Sequence, residues 1–229
     1  MPNITKEKLL ELLKRYKINL DELEIDKLVE LTNIFYETNK SINLSAIRDI
    51  DWILEKHIID ALKPLEFIQF DEWAKVLDLW TWWWMPWLPL AITNPQSSFT
   101  LLDARQKKIK VLEEFNKILN LKNINLKWGR AEELSKDKEY KKQFDIVMSR
   151  WVAYMPKILE WSKPFLKKWG LIYLWKQASH EEFDEWLKRA YALDIDILSE
   201  HTYSIGKQED DLAKSNNLDR SVFIFKNKK

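Results

Sequence analysis
Apolar positions in the first third of the chain recur at helical spacing. Leu9, Leu10, Leu12 and Leu13 give residues 5–17 one apolar stripe, and Leu23, Ile25, Leu28, Val29, Leu31, Ile34 and Phe35 give 21–38 another. The polar stretch NKSINLSAIRD (39–49) follows, and a third helical pattern covers 51–68. Residues 1–70 are therefore expected to form a helical extension whose apolar faces cap what lies beyond it.

From residue 71 the pattern changes to short apolar runs: KVLDL (75–79), FTLLD (99–103), NINLK (123–127), FDIVMS (144–149), LIYLW (171–175), IDILSE (195–200) and SVFIFK (221–226). Helical patterns lie between most of them, notably Arg105–Leu119, Met155–Leu166 and Glu181–Tyr191. Strand–helix alternation predicts an α/β domain over 71–229, with a mostly parallel seven-stranded sheet and helices on both faces. The last two runs are joined by the polar loop YSIGKQEDDLAKSNNLDR, which predicts an antiparallel hairpin at one side of the sheet.

Sheets of this kind bind ligands at the carboxyl ends of their strands. That directs attention to VLDLWTWWWMPWLPLAI (76–92), where Asp78 precedes five tryptophans in the eight positions from Trp80 to Trp87. A strand-to-helix turn facing a ligand needs glycine, which permits positive φ and lets the backbone approach closely. Composition explains the anomaly. The chain has 3 glycines and 13 tryptophans in 229 residues, whereas usage near 7% would give about 16 glycines. Deficit and surplus match, which points to one substitution process: UGA read as glycine in the cell and written here as tryptophan. Trp80, Trp82, Trp83, Trp84, Trp87 and Trp169 fit glycine best, with Trp151 and Trp175 next. Trp161 reads as genuine, and Trp52, Trp73, Trp128 and Trp186 are open. The competing reading is a real aromatic loop.

The remaining totals narrow the chemistry. A formal charge of +1 gives no global basic footprint, so any nucleic-acid contact must come from a local patch. Arg105, Lys107, Lys108 and Lys110, with Arg48, Lys56 and Lys176, supply one candidate. No cysteine is present, which excludes disulfides and thiolate metal sites, and the three histidines (57, 180, 201) are scattered, so no metal is expected. His57 and Asp60 lie one helical turn apart, and a packed histidine is expected there rather than a catalytic pair. The charged N-terminus and the lack of any apolar run of membrane length lead to the expectation of a cytoplasmic protein with no membrane segment.

With glycine in the loop, the motifs "NKSINLSAIRD" (39–49), "KHIIDAL" (56–62), "FTLLDARQKKIKVLEEF" (99–115), "GRAEEL" (129–134) and "FDIVMSRWVAYMPKILEW" (144–161) together resemble the RsmG (GidB) family of bacterial small-subunit rRNA methyltransferases. The resemblance runs from about residue 20 to 176. It implies a class I, Rossmann-like methyltransferase fold behind the helical extension, with S-adenosylmethionine as donor. It also implies N7 methylation of a guanine in 16S rRNA, the one numbered 527 in the standard scheme, with the RNA or the small ribosomal subunit as partner; the protein itself is expected to be a monomer. The chain departs from the pattern at the loop tryptophans, at Trp151 and after residue 177.

The resemblance and the fold together mark the cofactor-binding candidates. Trp80 and Trp82 stand where the backbone passes the cofactor, and Met85 packs near it. Asp103, ending the second strand, is placed to accept ribose hydroxyls. Ala131 and Glu132 stand where the family contacts adenine, although by pattern alone they are a helix start with acids in its first turn. Arg150 follows the fourth strand and reaches either the methionine carboxylate or an RNA phosphate, with the resemblance favouring the cofactor. Guanine N7 has a free lone pair, so no catalytic acid or base is assigned. Two other readings stay open: the same fold acting on tRNA, protein or a small molecule, and a non-enzymatic binding module with a genuine aromatic loop.

Overall fold
The computed structural model describes residues 2–79, 81, 85–150, 154–177, 183–206 and 219–229. It opens with α1 (Pro2–Arg15) and α2 (Glu22–Ser41). Asp21 starts α2 with a reciprocal cap: its carboxylate accepts the Glu24 N–H and the Glu24 carboxylate accepts the Asp21 N–H, each at 2.8 Å. The face of α2 carrying Leu28, Leu31 and Phe35 is fully buried, as its apolar stripe predicts.

The third helical pattern is not one helix. It runs as α3 (Ile50–Ile53), a π-helical turn (Leu54–Ile59), α4 (Asp60–Leu62) and a 3-10 turn (Lys63–Glu66). The Asp60 N–H bonds back to the Glu55 carbonyl, which marks the wider turn. Pro64 removes a donor, and the helical course stops two residues before the predicted end.

The sheet has seven strands: β1 (Lys75–Leu79), β2 (Ser98–Asp103), β3 (Ile124–Trp128), β4 (Phe144–Arg150), β5 (Leu166–Gln177), β6 (Ile195–Ser204) and β7 (Asp219–Asn227). Their order is β3-β2-β1-β4-β5-β7-β6. The first five are parallel, and β7 is antiparallel to both its neighbours. This is the mostly parallel, seven-stranded α/β arrangement expected from the sequence, with the hairpin at one side.

The connecting helices are α5 (Trp87–Ile92), α6 (Gln106–Leu119), α7 (Ala131–Leu134), α8 (Met155–Ser162) and α9 (Phe183–Ala192). α6 ends on Asn120 in the left-handed region, a conformation asparagine tolerates. The helix predicted over 155–166 is shorter, because a 3-10 turn at Pro164 closes it and β5 begins at Leu166. The register then shifts between the pairs Phe144↔Leu166 and Ile146↔Leu171, leaving a bulge that contains Trp169.

Two apolar cores flank the sheet. One joins the helical extension to a sheet face, with Leu28, Leu31, Phe35 and Leu62 in the same cluster as Val76, Phe99 and Met148. The other joins the opposite face to α7, α8 and α9 through Val147, Leu159 and Trp186. Residue 70 thus marks a change of element type, and the extension packs as one side of the sheet's own core. Among the described residues, no helix is long and apolar enough to cross a membrane.

Candidate functional site
The carboxyl edge of the parallel strands collects most of the residues singled out from the sequence. Asp78 and Leu79 end β1, Asp103 ends β2 and Arg150 ends β4. Ala131 and Glu132 begin α7 just beyond β3. With strands about 4.8 Å apart, the line from β3 to β4 spans roughly 14 Å. Backbone and hydroxyl links hold this edge together: Thr81 N–H to the Leu102 carbonyl (3.2 Å), Gly129 N–H to the Asp103 carbonyl (3.1 Å), and Ser149 Oγ to the Leu79 carbonyl (3.1 Å). Trp80 and Trp82 to Trp84 lie outside the described residues. Met85 is buried in the core before α5. A separate cleft of about 440 Å³, lined by Asp71, Asp145, Lys168 and Trp169 among others, lies at the amino edge, away from these groups.

Asp103 is almost fully buried. One oxygen accepts the Arg105 N–H at 2.8 Å and the other accepts from Lys108 Nζ at 3.1 Å. A carboxylate has about four lone-pair sites, so acceptor capacity remains for hydroxyls. Lys108, expected on a solvated basic face, is drawn inward by this pair, whereas Arg105, Lys107 and Lys110 stay exposed. Ala131 is buried and Glu132 exposed, so the two adjacent candidates present different surfaces.

Asp78 is the most unusual group at this edge. It is buried, and neither carboxylate oxygen has a hydrogen-bond partner among the described residues. Burial pushes its pKa well above the ordinary carboxylate value; the neighbouring Thr81 hydroxyl offsets part of this without forming a well-aligned hydrogen bond. A buried carboxylate without a partner among the described residues calls for a cationic or hydrogen-bond-donating neighbour.

A second polar cluster joins three parts of the chain. The Asp60 carboxylate, at the start of α4, accepts a hydrogen bond from Arg150 Nη2 and one from Tyr203 Oη at 2.9 Å, and Arg220 Nε stands 3.8 Å away. Tyr203 is held protonated, its pKa raised first by burial and then by Asp60. Neither Tyr203 nor Arg220 stood out in the sequence. The available signal was Asp60 itself, a carboxylate inside the apolar run IIDAL, where burial requires a partner.

His57 is packed, as expected, rather than paired with Asp60. Its ring lies edge-on to Phe35, and Nε2 is 3.2 Å from Ser45 Oγ. Burial, reinforced by the charge of Arg150, lowers its pKa from the ordinary 6.5 to about 4. The folded state thus resists a proton that the unfolded chain accepts. Stability from this group is full above about pH 6.5 and is lost as pH falls toward 4, by on the order of 3 kcal/mol. Urea unfolding at pH 7 and pH 5 should show that loss in the wild type and a smaller one in His57→Gln. Equal losses in both would assign the acid sensitivity elsewhere.

Comparison with known proteins places this geometry in context. The family model described as GidB, rRNA small subunit methyltransferase G, matches residues 24–211. The chain is similar to the Ribosomal RNA small subunit methyltransferase G of Dictyoglomus thermophilum, with 34% identity over 80% of this chain and 74% of that one. Similarity to the protein of the same name from Acetivibrio thermocellus is 32% over 92% of this chain and 84% of that one. Among solved structures, M. jannaschii TYW2 in complex with AdoMet superposes with TM-score 0.54 at 21% identity, covering 74% of each chain. TrmN from Thermus thermophilus gives TM-score 0.55 at 17% identity, covering 73% of this chain and 48% of that one. These two likenesses concern the fold.

Proposed function
Because the chain belongs to the rRNA small subunit methyltransferase G family, we propose that it transfers a methyl group from S-adenosylmethionine to N7 of one guanine in 16S rRNA. The observation that carries the donor assignment is the Asp78 carboxylate, buried at the carboxyl edge and without a hydrogen-bond partner among the described residues, in the strand that leads into a loop of cofactor-binding pattern. When bound, the donor supplies an electrophilic methyl group on a sulfonium. The residues fit such a ligand: Asp78 offers a buried carboxyl group that a neighbouring cation would draw into its charged form, Asp103 retains acceptor capacity for ribose hydroxyls, and Arg150 offers a guanidinium to a carboxylate. Ala131 and Glu132 are the candidates for the adenine end, and Met85, buried just before α5, is the candidate for packing near the donor.

The chain's task is orientation. Guanine N7 carries its lone pair at neutral pH, so no side chain need remove a proton. Holding the reacting groups in line contributes up to roughly 7–11 kcal/mol in ideal cases. The base must also be splayed from folded RNA to reach the strand edge. The test is the 16S rRNA of a strain lacking the gene, which should lose one N7-methylguanine.

Replacing Asp103 with Ala should weaken donor binding by about 1.5–3 kcal/mol, the range for hydrogen bonds to a charged group. Calorimetric titration with S-adenosylmethionine reads this directly. An unchanged Kd would put the ribose elsewhere.

The donor loop also bears on the tryptophans. We propose glycine in the native protein at positions 80, 82–84, 87 and 169, and extend this to 73 and 175. Trp73 and Trp169 both have φ of 66°, in the left-handed region, and both side chains are largely exposed. For a bulky residue that conformation is an outlier. Trp87 and Trp175 are buried against each other with ring centroids 5.7 Å apart, and neither indole N–H has a partner among the described residues. Trp186, by contrast, packs edge-on against Phe223 and Phe225 in the core, as a genuine tryptophan does.

A further inference from the structure
Arg150 would be a poor ligand-binding group without support. An arginine side chain at a strand end has many rotamers, and fixing one is costly unless a partner pre-orients the planar fork. The partner here comes from the helical extension, 90 residues earlier in the chain. Asp60 has 2% of its side-chain surface exposed and Arg150 13%. Asp60 engages only Nη2, and Nη1 of Arg150 is buried without a hydrogen-bond partner among the described residues. Asp60 is in turn fixed by the far hairpin of the sheet, where Tyr203 on β6 donates to its carboxylate at 2.9 Å and stands 3.3 Å from its backbone carbonyl.

We infer that Asp60 is a positioning residue for donor binding: it clamps one arm of the Arg150 guanidinium, leaves the other for the donor's carboxylate, and is itself locked by the Tyr203 hydroxyl. The helical extension then does more than cap the core. It sets the geometry of the methyltransferase pocket through a single buried carboxylate. The inference rests on the assignment of Arg150 to the donor.

The test is a double-mutant cycle on the full-length chain with glycine at the proposed positions, read as the Kd for S-adenosylmethionine by calorimetry, with thermal unfolding followed alongside. Asp60→Asn keeps the shape and removes the charge, and Arg150→Lys keeps the charge and removes the fork. Each alone is expected to weaken donor binding at least about tenfold, and the double variant should be no weaker than Arg150→Lys within about twofold, because Asp60 acts through Arg150. Tyr203→Phe, which deletes one hydroxyl, should weaken donor binding severalfold while the KM for RNA stays unchanged, and it carries the test if Asp60→Asn does not fold. Losses that multiply in the double variant would overturn the inference, as would an unchanged Kd in Asp60→Asn or Tyr203→Phe. An unchanged Kd in Arg150→Lys would instead remove the donor assignment of Arg150, a failure distinguishable from that of the clamp.

Discussion

Mass spectrometry of peptides from the protein made in its own cells is expected to give glycine at positions 80, 82–84, 87 and 169, and only the glycine chain is expected to bind S-adenosylmethionine well. Two independent arguments converge. The first is compositional: three glycines are too few for a sheet with this many tight crossovers, and tryptophan is in matching surplus. The second is conformational. Placing tryptophan in the left-handed region costs roughly 1–2 kcal/mol per residue, and Trp73 and Trp169 both stand there while exposed. Asn120 and Asp194 also have positive φ, which their short polar side chains suit, and so do Lys17 and Lys142, so the conformation counts here because it coincides with the tryptophan surplus.

The consequence for binding is steric. Trp175 is paired in register with Arg150 at the carboxyl edge, and Trp87 begins the helix that follows the loop. Their two indoles are packed face to edge where β5 and α5 meet. Glycine at both positions removes that bulk beside the proposed donor site and restores close backbone approach in the loop. The tryptophan chain should therefore bind the donor at least roughly 100-fold more weakly, equivalent to about 2.7 kcal/mol. Tryptophan masses across 80–87 in the native protein would refute the recoding. Equal affinities of the two chains would show that the loop does not line the donor.

The second large effect concerns the RNA. Methylation at N7 makes a guanine cationic and its ring labile to reduction, after which aniline cleaves the strand. The 16S rRNA of the wild type should break at one guanine attributable to this enzyme, and RNA from a deletion strain should be intact there. The near-zero net charge favours a small, targeted footprint over broad binding, which is why a single site is expected. A break that persists in the deletion strain, or transfer only to tRNA or protein, would move the acceptor to another class while leaving the donor chemistry in place.

What the sequence determined by itself is what local periodicity encodes. Strands such as β1 and β4 are largely buried and appear as short, mostly apolar runs, so their positions and the alternation with helices were legible. So were the parallel sheet, the antiparallel last hairpin, and the place of Asp103 at the end of a strand. The amphipathic stripes of α1 and α2 announced a cap on the core for the same reason. The π-helical turn over Leu54–Ile59 and the early start of β5 were not legible, because both are irregularities imposed by packing and register, and no residue spacing marks them.

Only the tertiary structure decided the charge partners. Asp60 and Arg150 are 90 positions apart, and Asp60 and Tyr203 are 143 apart. Their meeting depends on the strand order, which brings β4 and the β6–β7 hairpin to the same side as the helical extension. The inward turn of Lys108 to Asp103, the burial of His57 and the isolation of Asp78 follow from the same cause. Hydrophobic pattern fixes which residues leave water, but a buried charge must find its counter-charge in space, and that pairing is set by topology rather than by sequence neighbourhood.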